Sequence, residues 1–379
     1  TTTPTTTSTV PQTTATAQQD PAHPFPPHKP QRQTASLRTV LKHILMHTPE
    51  DLHDRILPPK PQSKASDFGI PPGKFYLALY AGKDDNTSLS ATIHDKHPWL
   101  SPHIFEIDNI RDAIRHNMHG DIYYHLLQAA LEGRVLGICG GPMCRTWTIC
   151  LHKPDSKGKP GRPLRGRPEP LCWGTRGLLP AEDDKVDDDS MLLIMQLALY
   201  ETAAHHQSLA QNESRLLVLP LPFLLEHPAD PAKHSKHPSA PTCSTIWETN
   251  LVKDFADRHP SELHTWSQCR TGGQHIKYTT ALTINMPKMK ELRGLDCNHT
   301  HSEERDGTIN TGDLARWTPG FQKIIGDCLA TTYSHLRHSN PQTHTRKVSI
   351  KHQADNNSPQ TARKYPRGAN NNNHKTSKR

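Results

Sequence analysis

The chain has 379 residues, 33% of them hydrophobic, with 34 prolines and a formal net charge of +8. The charge is uneven: residues 336–379 hold ten Lys and Arg against one Asp, residues 1–64 hold seven against four, and the remainder is net acidic. No stretch reaches the roughly 20 apolar residues of a membrane-spanning helix, and no membrane partner is expected.

Residues 1–34 are mostly Thr, Pro and Gln, with too little apolar surface to offset chain entropy, so a disordered tail is expected. Leu37, Val40, Leu41, Ile44 and Leu45 then recur at helical spacing. Thr48-Pro49-Glu50-Asp51 reads as a cap, a first-position proline and an acidic first turn. A short helical pair and a linker are therefore expected over 35–64.

The core is expected over 65–335 as one domain. FYLALYA (75–81) reads as a buried strand, Thr87 to His94 as a short helix, and HIFEID (103–108) as a second strand. Asp121 to Glu132 reads as a helix with Ile122, Leu126, Leu127, Ala130 and Leu131 on one face. VLGIC (135–139) is the third strand. This alternation predicts an α/β fold with a doubly wound, mostly parallel sheet.

A Gly-, Pro- and Arg-rich excursion (152–180) follows. Its positive charge suits approach to a phosphate backbone, and loops of this length are functional or disordered. A long apolar helix is expected over 188–210, opened by an acidic run, Glu182 to Asp189, read as a solvated helix start. Residues 215–228 read as a buried strand ending in Glu226-His227-Pro228. HTWSQC (264–269) and TTALTIN (279–285) read as further strands, and a last helix is expected over 319–332. Residues 336–379 read as a disordered basic tail, either solubilising or attracted to nucleic acid. The 27 histidines lie mostly among polar neighbours and are expected at the surface. The eight cysteines form no CxxC pair, so reduced thiols and an intracellular compartment are expected, nuclear if DNA is the partner. The chain begins with Thr1, so an upstream segment is expected and the lack of a signal peptide decides nothing.

Three strand ends collect the chemistry. Ala81-Gly82 follows strand one, Glu106 and Asp108 close strand two, and Gly140-Gly141-Pro142-Met143-Cys144 closes strand three. A glycine turn followed by acids about 25 residues later suits a nucleotide-like ligand, the acids accepting hydrogen bonds from ribose hydroxyls. Cys144 is either a loop cysteine beside a turn or a nucleophile. Glu226 is either a polar strand end or an acid acting with Cys144 on an electron-poor ring. Trp147, Trp173 and Trp317 read as packing anchors, with Trp147 alternatively stacking on a base.

In their order these motifs resemble the cytosine-C5 DNA methyltransferases, in the divergent form found in dinoflagellate retroelement-like open reading frames. LALYAGK (77–83) resembles the cofactor loop, FEID (105–108) the ribose-binding strand end, and GGPMCRTWT (140–148) the Pro-Cys nucleophile loop. LLEHP (224–228) resembles the Glu-Asn-Val strand end, with His227 where that pattern has Asn. WTPGFQKIIGDCLA (317–330) is placed like the helix returning to the cofactor pocket. The resemblance implies an S-adenosylmethionine-dependent methyltransferase fold, with the cofactor over Gly82 and its ribose on Glu106 or Asp108. It also implies Cys144 adding to C6 of a flipped cytosine, Glu226 assisting at N3, and DNA held by the basic tail and the 152–180 loop. The alternative is a non-catalytic, retroelement-encoded nucleic-acid-binding or interaction protein on the same fold. Cys269, Cys297, His299 and His301 offer metal ligands, but their spacing matches no common zinc module, and no metal is expected.

Overall fold

The computed structural model describes residues 36–82, 85, 87–154, 158–214, 220–299 and 316–338. The tail expected over 1–34, the tail beyond residue 338, and Lys83, Asp84 and Asn86 lie outside these residues. So do residues 215–219, the start of the expected fourth strand.

Among the described residues, six strands form one sheet: β1 (Phe75–Leu79), β2 (Ile104–Ile107), β3 (Val135–Gly140), β4 (Phe223–Pro228), β5 (Ser261–Ser267) and β6 (Tyr278–Ile284). Their order is β2-β1-β3-β4-β6-β5. β1 pairs in parallel with β2 and β3, and β3 with β4, whereas β6 runs antiparallel to both β4 and β5. Five strands therefore point one way and β6 alone is reversed. The sheet is mixed, and the short β5–β6 connection is what permits the antiparallel pair.

Alternation along each strand separates two cores. Phe75, Leu77 and Leu79 of β1 face one apolar cluster, while Tyr76 and Ala78 face the other. The first cluster is covered by α5 (Asp121–Leu131) and α6 (Pro180–Ser214), through side chains such as Ile122, Leu126, Ile194 and Leu197. The second is covered by α4 (Leu89–Lys96) and α9 (Pro319–His338), through Leu89, Ile93, Phe321, Ile325 and Leu329. The result is helix–sheet–helix layering.

The N-terminal segment belongs to the same packing. It holds α1 (Leu37–Val40), α2 (Lys42–Met46) and α3 (His53–Ile56), and its Leu41, Ile44, Leu52 and Ile56 are buried in the first core. Thr48 does not cap the following turn. Its hydroxyl donates back to Ile44 O at 3.0 Å and closes the preceding one. A short turn, α7 (Pro231–His234), follows β4, and α8 (Asn250–Arg258), which the sequence reading did not anticipate, precedes β5. α8 buries Leu251, Val252 and Phe255. No helix among the described residues is long and apolar enough to cross a membrane.

Strand order reverses around β1. One neighbour, β2, lies to one side, and β3 then β4 lie to the other. In open α/β sheets the crevice outside the strand carboxyl ends at such a switch point is where ligands bind. The register places Leu79, Ile107, Gly140 and Leu225 in one row across the sheet. The residues just beyond that row form the candidate site.

Candidate functional site

Two groups of side chains occupy this edge. The first surrounds the end of β1. Tyr80 and Gly82 both take positive φ, 59° and 75°. For tyrosine this is a strained conformation, held here by its hydroxyl donating to Leu192 O at 2.6 Å. Asp108 organises the turn: its Oδ2 accepts from Gly82 N and its Oδ1 from Ile110 N, both at 2.8 Å. Glu106 is buried and accepts from Ser90 N at 3.0 Å, from the Ser90 hydroxyl, and from Arg111 Nη1 at 2.9 Å. Ser90 lies in the first turn of α4, where the helix dipole favours an anion. Arg111 Nε also donates to Gly82 O at 2.7 Å. The two acids expected to meet a ribose thus already have protein partners. Ala81 joins the turn through its N–H, which donates to Ile107 O at 3.2 Å.

The second group surrounds the ends of β3 and β4. Strand alternation puts Glu226 on the α9 side and His227 on the α6 side. Glu226 is buried, and its Oε2 accepts from Trp317 Nε1 at 3.1 Å. Its Oε1 makes no hydrogen bond, and Lys277 Nζ lies 3.9 Å from it. Gly141 abuts this carboxylate: a Cβ there would sit 2.5 Å from Glu226 Oε2. Cys144, half-buried, follows three residues later. Burial pushes its thiol up, the Lys277 ammonium pulls it down, and Glu226 and Asp189 push it up. Glu226 and Lys277 thus both act on the Cys144 thiol, with opposite signs.

That balance has a sign that alkylation reads. A neutral thiol reagent should label Cys144 faster as pH rises, through a midpoint above the ordinary thiol range. Lys277→Met should move the midpoint higher, and Glu226→Gln should move it lower. Mass spectrometry of the Cys144 peptide across pH checks this. A shift in the opposite direction for either variant would mean that these charges do not face the thiol.

The loop carrying Cys144 is anchored by groups the sequence reading assigned to solvent. Asp189 is fully buried. Its Oδ1 accepts from Arg145 Nε and Nη2 at 2.9 and 2.7 Å, and its Oδ2 from Thr146 N and Oγ1 at 3.0 and 2.9 Å. Helical periodicity turns this one residue of the acidic run inward, so the run is not wholly solvated. Arg165, from the excursion expected to face phosphate, is also buried. It donates to Thr146 Oγ1, Cys172 O, Val186 O and Ser190 Oγ, and its guanidinium carbon lies 3.8 Å from the centre of the Trp147 ring. Arg167 forms a two-bond pair with Asp230 at 2.8 and 2.7 Å, and Arg162 pairs with Glu182. These arginines hold the excursion to the protein. Trp147 is buried under Arg165 and edge-on to Trp173, so it is an anchor and not a base-stacking platform. Trp317 does more than pack, since it holds Glu226.

Histidines are not confined to the surface. His125, His227 and His264 are buried. His227 has no hydrogen-bond partner on either ring nitrogen. Burial, with Lys277 and Arg165 nearby, pushes it down to about 3. Gln196 of α6, also unanticipated, donates to Gly140 O at 3.3 Å and Leu224 O at 2.8 Å, tying β3 to β4 just below the site.

None of the eight cysteines forms a disulfide. Cys269, Cys297 and His299, separated in sequence, converge at one place. His301 lies outside the described residues. Comparison with protein-family models gave no match, and comparison with curated proteins gave none either.

Proposed function

We propose that the chain is an S-adenosylmethionine-dependent methyltransferase acting on cytosine C5 in DNA, with Cys144 as nucleophile and Glu226 as the assisting acid. One observation carries this reading. At the switch-point edge, a cysteine after a glycine turn shares its surroundings with a buried glutamate whose Oε1 has no hydrogen bond. The mixed sheet, whose one reversed strand, β6, lies one in from the edge, supports the methyltransferase-type fold.

The residues fit the cofactor. Gly82 opens on space, since a Cβ there would meet nothing within 4 Å. Asp108 beside it uses two of the roughly four acceptor sites of a carboxylate, leaving capacity for a hydroxyl. When bound, S-adenosylmethionine supplies the methyl group. Cys144, as thiolate, forms the bond to C6 of an extruded cytosine while Glu226 places a proton on N3. Trp317 fixes the carboxyl by its bond to Oε2 and leaves Oε1 without a hydrogen bond. Loss of the C5 proton to solvent, with the N3 proton returning to Glu226, then expels the Cys144 sulfur as thiolate and restores the ring.

DNA containing 5-fluorocytosine tests this, because fluorine cannot leave as a proton does. A covalent adduct is expected only when S-adenosylmethionine is present, and none with Cys144→Ala. Glu226→Gln should slow the adduct by about 10²–10⁴-fold, the usual range for general-acid assistance. An adduct that persists in Cys144→Ala would remove the assigned nucleophile.

A second reading, a non-catalytic nucleic-acid-binding or interaction protein, is favoured by the prior engagement of Glu106 with Ser90 and Arg111. Calorimetry separates the two. No heat on titrating S-adenosylmethionine into the full chain selects the second.

A further inference from the structure

The turn that ends β5, Gln268–Thr271, meets the segment following the turn Pro287–Leu292. Ser267 N donates to Leu295 O at 3.0 Å, and Arg270 donates to Asn298 Oδ1, so the two segments are aligned by bonds on either side of Cys269 and Cys297. In that alignment one ligand atom each from Cys269, Cys297 and His299 lies within 4.8 Å of the others. Bonds of about 2.3 Å to sulfur and about 2.0 Å to nitrogen give a tetrahedral zinc site edges of about 3.5–3.8 Å. Closing the cluster onto an ion thus takes movements on the order of an ångström. The two cysteines are half-buried and the histidine exposed, so an ion can reach them from solvent. Ser267 Oγ lies 3.1 Å from Cys269 Sγ, where its hydroxyl can donate to a thiolate and orient it.

We propose that Cys269, Cys297 and His299 bind one zinc ion with two thiolates and one imidazole. Two thiolates and an imidazole are the soft and borderline donors that select zinc over magnesium or calcium. The ion ties the end of β5 to the segment after Leu295. The tied turn also carries Thr271, whose hydroxyl is 2.7 Å from that of Thr318. Thr318 adjoins Trp317, the residue that holds Glu226, so the ion steadies one wall of the candidate site. The site stands whether or not the chain is a methyltransferase.

Cobalt(II) titration of the full chain, stripped of metal and kept reduced, tests the site. One equivalent should give thiolate-to-cobalt charge-transfer absorption and intense tetrahedral d–d bands, both erased by zinc. The numerous histidines elsewhere give weak bands and no thiolate absorption, so they do not imitate the signal. Cys297→Ser should lower the thiolate absorption and weaken binding by at least about a hundredfold, since loss of an outer-shell partner alone costs 10–100-fold. His299→Ala, at an exposed position, should weaken binding while keeping the fold and the thiolate band. Cys144→Ala should leave the cobalt spectrum and its midpoint as they are. The proposal falls if the unmodified chain shows no thiolate band, if the band survives in the Cys269→Ser/Cys297→Ser double variant, or if Cys144→Ala abolishes it. A disulfide between Cys269 and Cys297 that persists under the same reducing conditions also overturns it.

Discussion

Replacing Asp189 by alanine is expected to lower the unfolding free energy by about 3–5 kcal/mol, the range for breaking a buried charge pair by removing one partner. The reason lies in what remains. Thr146 is buried, and its N–H and hydroxyl both lose their acceptor. Arg165, buried beside it, loses the carboxylate that offsets its charge, and burial already lowers its basicity. Arg145 contributes little to the cost, being about half exposed and able to reach water. Asp189→Asn keeps one acceptor for Thr146 and should cost less than alanine. The loop beyond Gly141 loses its anchor in the alanine variant, so alkylation of Cys144 should there become less dependent on Lys277. Urea unfolding checks the first expectation. A loss under about 1 kcal/mol for Asp189→Ala, typical of an exposed pair, would mean that the carboxylate is not the anchor described.

The sheet was legible because its central strands are continuous apolar runs. Phe75 to Leu79 and Val135 to Cys139 are buried on both faces, and such runs have few other places to go. The strand ends were legible for the same reason: a run that stops at Gly82 or at Gly140-Gly141 marks where backbone leaves the core. The side-chain partners were not. Asp189 and Asp188 sit side by side in one acidic run, yet one is buried against Thr146 and the other pairs with Arg55 near solvent. Only the direction of α6 relative to β3 separates them, and that direction is a tertiary fact. Arg165 was hidden similarly, since a Gly-, Pro- and Arg-rich stretch has the composition of an exposed loop. The convergence of Cys269 with Cys297 and His299 depends on two turns meeting after β5, which no local spacing encodes.

His227 makes the stability of the whole domain depend on acid. Its ring is buried and makes no hydrogen bond, and its pKa in the folded chain is about 3. In the unfolded chain the ring returns to the ordinary value of about 6.5. As pH falls below about 6.5 the unfolded state takes up a proton that the folded state refuses, so stability falls. The decline continues until about pH 3, where the folded protein also binds the proton. Within that window the slope approaches about 1.4 kcal/mol per pH unit for this one group, and the total is on the order of 5 kcal/mol. The penalty arises where it matters for the candidate site, because the ring lies edge-on to Trp147, 6.3 Å away, beneath the Cys144 loop. His227→Leu removes the titration and sets an apolar side chain beside the Trp147 and Trp247 rings. Its unfolding free energy should therefore fall less steeply between about pH 6 and 4 than that of the unmodified chain, by up to one proton's worth per unit. Carboxylates and the other histidines contribute equally to both proteins and cancel in the difference. Parallel profiles for the two across this window would show that His227 binds its proton in the folded state, and the buried neutral imidazole would have to be abandoned.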